Sequence, residues 1–387
     1  MIICSGILYN LGYIKKNKSV IEAENNLKKY SEITETDTMI NIHGNFIGGN
    51  ICVKEILEDT VLLENEIRDT QGDWFYWAFC VEGAEGLELT FHLGKTRLGY
   101  WGPAVSHDLR SWHWLDSVND ESFNYKFGKE ENKVYFAHNM LYHPDRFFEF
   151  AKELSLNTFE LCKSRKGRSV PAFTMGNGSK NIILTARHHA CESTGSYVLE
   201  GVLRELMNNP VSDSKVFCVP FVDYDGVIDG DQGKARAPHD HNRDYEKGVS
   251  VYPETAAIKQ FAEQYGCNFG FDFHSPYHRG GENDRVFLVR NSKKKLDRIE
   301  RFSKMFEDEI SEGSMKYSSS NDHPPETTWN MPSANFGFTM TSRPECYLAL
   351  SLETAYFGTE DNKISPERML ELGKCYARTI KKYIESV

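Results

Sequence analysis

The chain has no CxxC pair, no long apolar run and no surplus of basic charge. Its nine cysteines are scattered, odd in number and without paired spacing. That pattern excludes a disulfide framework and a cysteine-ligated zinc, and it points to a reducing compartment, the cytoplasm. No apolar run approaches the ~18 residues that a membrane-spanning helix needs. The opening residues 1–12 lack a basic start and a small-residue cleavage site, so a signal peptide is not expected. Lys and Arg number 45 against 56 Asp and Glu, a net charge of −11. That balance argues against nucleic acid, whose phosphates require clustered cations, and against anionic membranes. Internal repeats and low-complexity tracts are also missing.

What is present is an ordinary globular composition, 40% hydrophobic and 26% charged over 387 residues. At ~100–200 residues per domain, two domains are expected. Residues 1–38 are polar and read as an N-terminal extension, with a short surface helix at 20–30. Residues 39–158 read as a β-sandwich: aromatic and β-branched runs near 74–81, 87–92 and 132–137 are separated by glycine-rich turns. A linking helix is expected over 145–156. Residues 159–387 alternate strand and helix patterns, which predicts an α/β domain with a mixed, largely parallel sheet flanked by helices. Strands are expected at 182–185, 216–222, 269–273, 286–289 and 346–353, and helices at 196–207, 255–265, 295–310 and 366–384. In the first helix Val198, Leu199, Val202, Leu203, Leu206 and Met207 recur at helical spacing and form one apolar stripe.

His189 and Glu192 stand where the first of these strands turns into that helix. Such a pair can hold one metal ion, and ligands at the carboxyl end of a strand lie where open α/β sheets place their sites. A second pair, His323 and Glu326, sits in a polar loop without a strand before it and reads as an ordinary loop histidine. A third ligand is expected from another strand end. His274 closes the alternating run Phe269, Phe271, Phe273; His239, His241 and His278 compete with it. Glu353 is a carboxylate inside an apolar strand, costly unless paired or beside a metal, and suits a general base. The long segment 223–243 ends in Asn242 and Arg243, whose donors suit a substrate carboxylate. Arg236 is a candidate oxyanion stabiliser.

The ordered set His189-x-x-Glu192, Asp240-x-Asn242-Arg243, His274 and Glu353 resembles the zinc metallocarboxypeptidases. More closely it resembles the cytosolic-carboxypeptidase-like branch, which carries a β-sandwich ahead of the catalytic domain. The stretch from Ala186 to Glu192 is similar to that branch's Ala-Arg-x-His-Pro-Gly-Glu, and the stretch from Leu352 to Gly358 to its glutamate strand. The resemblance implies one zinc ion on His189, Glu192 and His274, Glu353 as general base, and Asn242 with Arg243 holding the C-terminal carboxylate of a peptide or protein substrate. It further implies that Asp240 orients a zinc histidine and that Arg236 stabilises the oxyanion, with Lys234 as its rival because the branch places its arginine at a slightly different offset. The family's Asn-Pro-Asp-Gly is Asp223-Tyr-Asp-Gly226 here, and its Pro-Gly between the first two ligands is Ala190-Cys191. Tyr317 and Tyr356 are candidates for its substrate-clamping tyrosine. The expected activity is hydrolysis of the last amide bond of a peptide. The alternatives are an amidase or deacylase of N-acyl amino acids and an inactive zinc-site binding protein. In the last case Trp74, Trp77, Trp101, Trp112 and Trp114 would serve a binding module.

Overall fold

Aromatic residues at alternate positions build the front of the molecule. A computed structural model describes residues 40–116 and 119–387; the N-terminal extension and its expected helix lie outside them. The front strands are β1 (Asn41–His43), β2 (Cys52–Leu57), β3 (Thr60–Glu64), β4 (Ala78–Glu82), β5 (Glu88–His92), β6 (Ala104–Ser106), β7 (His113–Trp114), β8 (Ser122–Lys126) and β9 (Lys133–Ala137). They form a five-stranded sheet in the order β1-β4-β9-β6-β7 and a four-stranded sheet in the order β2-β3-β5-β8. Pairing is antiparallel except between β3 and β5. Side chains alternate across a strand, so Phe79 of β4 and Phe136 of β9 meet Phe91 of β5 and Phe123 of β8 in a buried ring cluster, with centroids 5.0–5.4 Å apart between neighbours such as Phe91–Phe123 and Phe79–Phe91.

The second part begins with α1 (Pro144–Glu153). It continues through β10 (Thr158–Lys163), β11 (Ser169–Gly176), β12 (Lys180–Ala186), α2 (Ser193–Asn208), β13 (Ser214–Val219), α3 (Tyr224–Asp229), α4 (Pro253–Tyr265) and β14 (Phe269–His274). It closes with β15 (Phe287–Val289), α5 (Leu296–Glu309), α6 (Phe336–Thr341), β16 (Leu348–Glu353) and α7 (Pro366–Glu385). The sheet order is β10-β11-β13-β12-β14-β16-β15. The central strands β13, β12, β14 and β16 run parallel, and antiparallel strands stand at both edges. This is the expected α/β layer architecture behind β sheets.

Helix α2 is nearly engulfed. Its stripe is buried as expected, Met207 only partly, and its other side lies on α7. Glycines allow that approach: a Cβ on Gly201 would come within 2.0 Å of the Leu370 carbonyl oxygen, and one on Gly373 within 2.1 Å of that of Val198. Trp77, Trp101, Trp112 and Trp114 of the front part are packing residues. Trp77 is fully buried in the sandwich core. Trp101 donates to the Phe357 carbonyl at 2.9 Å and Trp114 to that of Ile364 at 3.0 Å, tying the front sheets to the α/β layer. The buried His138–His278 pair, 2.9 Å between ring nitrogens, lies on the same junction.

Candidate active site

The first pair of site residues sits on a turn that the sequence pins in place. After β12 the chain reverses through Arg187, whose φ of 61° lies in the left-handed region, a conformation that costs a β-carbon residue about 1–2 kcal/mol. The buried Arg187 guanidinium offsets this by donating from Nε to the Ala190 carbonyl at 2.9 Å and from Nη1 to that of Tyr142 at 3.2 Å. His189 and Glu192 follow, with Glu192 as N-cap of α2. The start of α2 is pressed onto the neighbouring strand ends. A Cβ on Gly195 would lie 2.7 Å from the Phe273 carbonyl oxygen, and Thr194 Oγ1 donates to the Thr354 carbonyl at 2.8 Å.

Three sequence-predicted residues converge here. Glu192 Oε1 lies 2.9 Å from His189 Nδ1, and its Oε2 lies 2.7 Å from His274 Nδ1. Ligand atoms of the three all lie within 4.8 Å of one another. The remaining imidazole nitrogens face carboxylates: His274 Nε2 is 2.6 Å from Asp272 Oδ2, and His189 Nε2 is 3.5 Å from Asp240 Oδ1. Carboxylates at that position fix the tautomer and turn the other nitrogen toward a metal. Two imidazoles and a carboxylate directed at one point fit zinc. His188, Asp272 and His274 form another close trio. Both His188 nitrogens are taken, however, by Asp272 at 2.9 Å and by Tyr245 at 2.7 Å, and His188 does not line the cavity.

Glu353 is the cross-strand partner of His274, at the end of β16. Its Oε2 is buried without a hydrogen-bond partner. Burial pushes its carboxyl up to about 7; His274 opposes the rise and Glu192 adds to it. His189, Glu192, His274, Glu353, Asp240, Asn242, Arg243 and Lys234 all line one cavity of about 490 Å³. Asn242 accepts from the Phe336 N–H at 3.1 Å, and its Nδ2 lies 3.4 Å from His274 Nε2. The exposed Arg243 donates to the Asn242 carbonyl at 3.0 Å.

The remaining expected residues fall elsewhere. Arg236 is held by Asp69 at 3.0 Å, Asp223 at 2.7 Å and Asp231 at 2.9 Å, and it lines a separate cavity of about 360 Å³. It therefore does not face the cavity that His189, Glu192 and His274 line. Lys234 does, with Nζ 2.6 Å from Glu192 Oε1. The competing histidines are engaged away from the trio: His239 with Asp244, His241 stacked on Tyr252, His278 with His138. His323 pairs with Glu282, and Glu326 with Lys293. Tyr317 is bonded to Ser303 and Asp322, and Tyr356 is buried against Cys191; neither lines the cavity. Trp74, Tyr277, Asn291, Trp329 and Ser351 do line it, and sequence reasoning did not single them out for the site. Of these, Tyr277, three positions after His274, and Ser351, two before Glu353 on the same strand, carried a local signal.

Solved structures share this arrangement of layers. A metallo-carboxypeptidase from Burkholderia cenocepacia superposes with a TM-score of 0.75 at 18% identity, over 90% of this chain and 99% of that one. The chain has the metallocarboxypeptidase fold. A metallo-carboxypeptidase from Pseudomonas aeruginosa, solved with (2-guanidinoethylmercapto)succinic acid, gives 0.71 at 19% identity, over 89% and 99% of the two chains. In sequence, human cytosolic carboxypeptidase 2 is 30% identical over 155 residues, 35% of this chain and 17% of that protein. The chain thus spans under a fifth of the length of the cytosolic carboxypeptidases it matches. An uncharacterised protein of Zymomonas mobilis is 27% identical over 256 residues, 61% of this chain and 67% of that one. No family model matches. Among the described residues no helix is long and apolar enough to cross a membrane.

Proposed function

We propose that this protein is a zinc-dependent carboxypeptidase that hydrolyses the last amide bond of peptides or proteins. The observation that carries the reading is the convergence of His189, Glu192 and His274 on one point, beside the unpartnered carboxylate of Glu353. Zinc, when bound, supplies Lewis acidity that acidifies water and polarises an amide carbonyl. One ion on His189, Glu192 and His274 fits the donor set, with Asp240 and Asp272 orienting the imidazoles.

Glu353 acts as general base: its carboxylate takes a proton from the attacking water and delivers it to the departing amine. Burial without a hydrogen bond suits that role, because it raises the affinity of the carboxylate for the proton. Asn242 and Arg243 hold the terminal carboxylate of the substrate, which restricts cleavage to the last residue. Lys234, not Arg236, stabilises the oxyanion, since its ammonium faces the cavity and Arg236 is enclosed by three aspartates. The free thiols among the described cysteines support action in a reducing compartment, the cytoplasm.

The test compares a peptide, its C-terminal amide and N-acyl amino acids as substrates of the zinc-loaded protein. Loss of one residue from the free-acid peptide only is expected. Cleavage of N-acyl amino acids alone would replace this reading with an amidase.

A further inference from the structure

The cavity extends past Glu353 along one edge of the sheet. Strands β15 and β16 are antiparallel, with Ser351 opposite Val289. Side chains alternate along a strand, so Ser351 shares the face of Glu353, and cross-strand partners share it too. Asn291, two residues beyond Val289, continues the row, and all of these residues line the cavity. The Asn291 end of the row lies near the carboxylate grip: Asn242 accepts the N–H of Phe336, and the next residue, Gly337, packs on the Asn291 amide, where an added Cβ would come within 2.1 Å of Nδ2. A peptide held there by its terminal carboxylate would place its last side chain against Ser351, Val289 and Asn291.

That row carries no charge. The cavity's lysine and arginine are engaged elsewhere in the carboxypeptidase reading, Lys234 by Glu192 and the oxyanion and Arg243 by the terminal carboxylate. Arg279 donates to Asp120 at 3.1 Å, and Arg290 faces Glu300 and Asp322. The carboxylate of Glu282, which also lines the cavity, is held by His323 and Trp329. The row does contain unspent hydrogen-bonding capacity: Asn291 is 2% exposed, and its Nδ2 is buried without a partner.

Building on the carboxypeptidase reading, we infer that this pocket takes a neutral, hydrogen-bonding C-terminal side chain, glutamine or asparagine, with Asn291 as the specificity-determining residue. A glutamate side chain would bring a carboxylate into a pocket without a counter-charge, which is costly. An aliphatic side chain would leave the Asn291 amide unpaired, and sites built on such hydrogen bonds reject analogues that lack the partner. A primary carboxamide supplies both donor and acceptor without charge.

The experiment measures kcat/KM of the zinc-loaded native protein on peptides identical except for a last residue of Gln, Asn, Glu, Leu or Lys. Gln and Asn are expected to exceed the other three by roughly 100-fold. Glu, Leu or Lys matching or exceeding them would overturn the inference and leave the carboxypeptidase reading intact. Cleavage of none of the peptides would overturn both. Asn291→Lys supplies the missing cation and is expected to move the Gln-to-Glu ratio toward Glu. An unchanged ratio in a folded variant would remove Asn291 from the pocket's selectivity. Should that variant fail to fold, the native series still decides.

Discussion

At Lys234 the ammonium lies 2.6 Å from Glu192 and faces the cavity, whereas two positions on the Arg236 guanidinium is surrounded by Asp69, Asp223 and Asp231. Spacing alone could not separate the two, because both are cations in one irregular segment. Ala235 between them has a φ of 48°, and such a turn redirects successive side chains in a way no periodic pattern announces. The separation has measurable consequences. Lys234→Ala is expected to lower kcat by roughly 100-fold or more, the effect of losing one oxyanion donor. Arg236→Gln is expected to destabilise the fold by about 3–5 kcal/mol, because the fully buried Asp223 loses its cation and Asp69 and Asp231 lose the one they share with it. Kinetics and denaturant unfolding of both variants, side by side, check the assignment.

The elements that carry the proposed metal ligands were legible because their patterns were strong. Phe269, Phe271 and Phe273 alternate up to His274, the stripe of α2 follows Glu192, and β16 is apolar up to Glu353. Weaker patterns were missed. β10 is a sheet-edge strand with Phe159 exposed, so it lacks the alternation of a half-buried strand. β13 was expected to reach 222 but ends at Val219, before Pro220. The loops that bring Trp74, Tyr277, Asn291 and Trp329 to the cavity are far apart in sequence, and only the tertiary fold joins them. Helix α4 carries a pH-dependent element of its own. Glu254, in its first turn, has a buried carboxylate oxygen without a hydrogen-bond partner, 3.9 Å from His241 Nε2, and burial pushes its carboxyl up to about 7. Between the ordinary value of 4.5 and about 7 the folded state holds the proton more tightly than the unfolded chain. Stability from this group is therefore full below 4.5 and is lost as pH rises toward 7. Glu254→Gln is expected to remove that loss, raising stability at pH 8 relative to the native protein while changing little at pH 4.5. Equal differences between the two proteins at both pH values would refute the assignment.

Across the whole molecule, residues 40–387 form one compact unit. The front sheets contribute Phe75, Trp112 and Trp114 to the same core as Tyr356 and Phe357, which follow Glu353. The five tryptophans that raised the idea of a binding module are accounted for by this packing, apart from Trp74 at the cavity. The architecture of β sheets followed by an α/β layer was legible from the change to alternating strand and helix patterns at about residue 165. The closeness of the two layers was not, since it depends on contacts such as Trp114 to Ile364. The central claim is that the zinc set and Glu353 together hydrolyse a C-terminal amide bond. Its most direct test is mass spectrometry of a peptide mixture treated with the native protein and with Glu353→Gln, each verified by elemental analysis to carry one zinc per chain. The account predicts loss of single C-terminal residues with the native protein and a rate roughly 10²–10⁴-fold lower with the variant. Equal rates for the two, or no cleavage by native protein carrying its zinc, would contradict it.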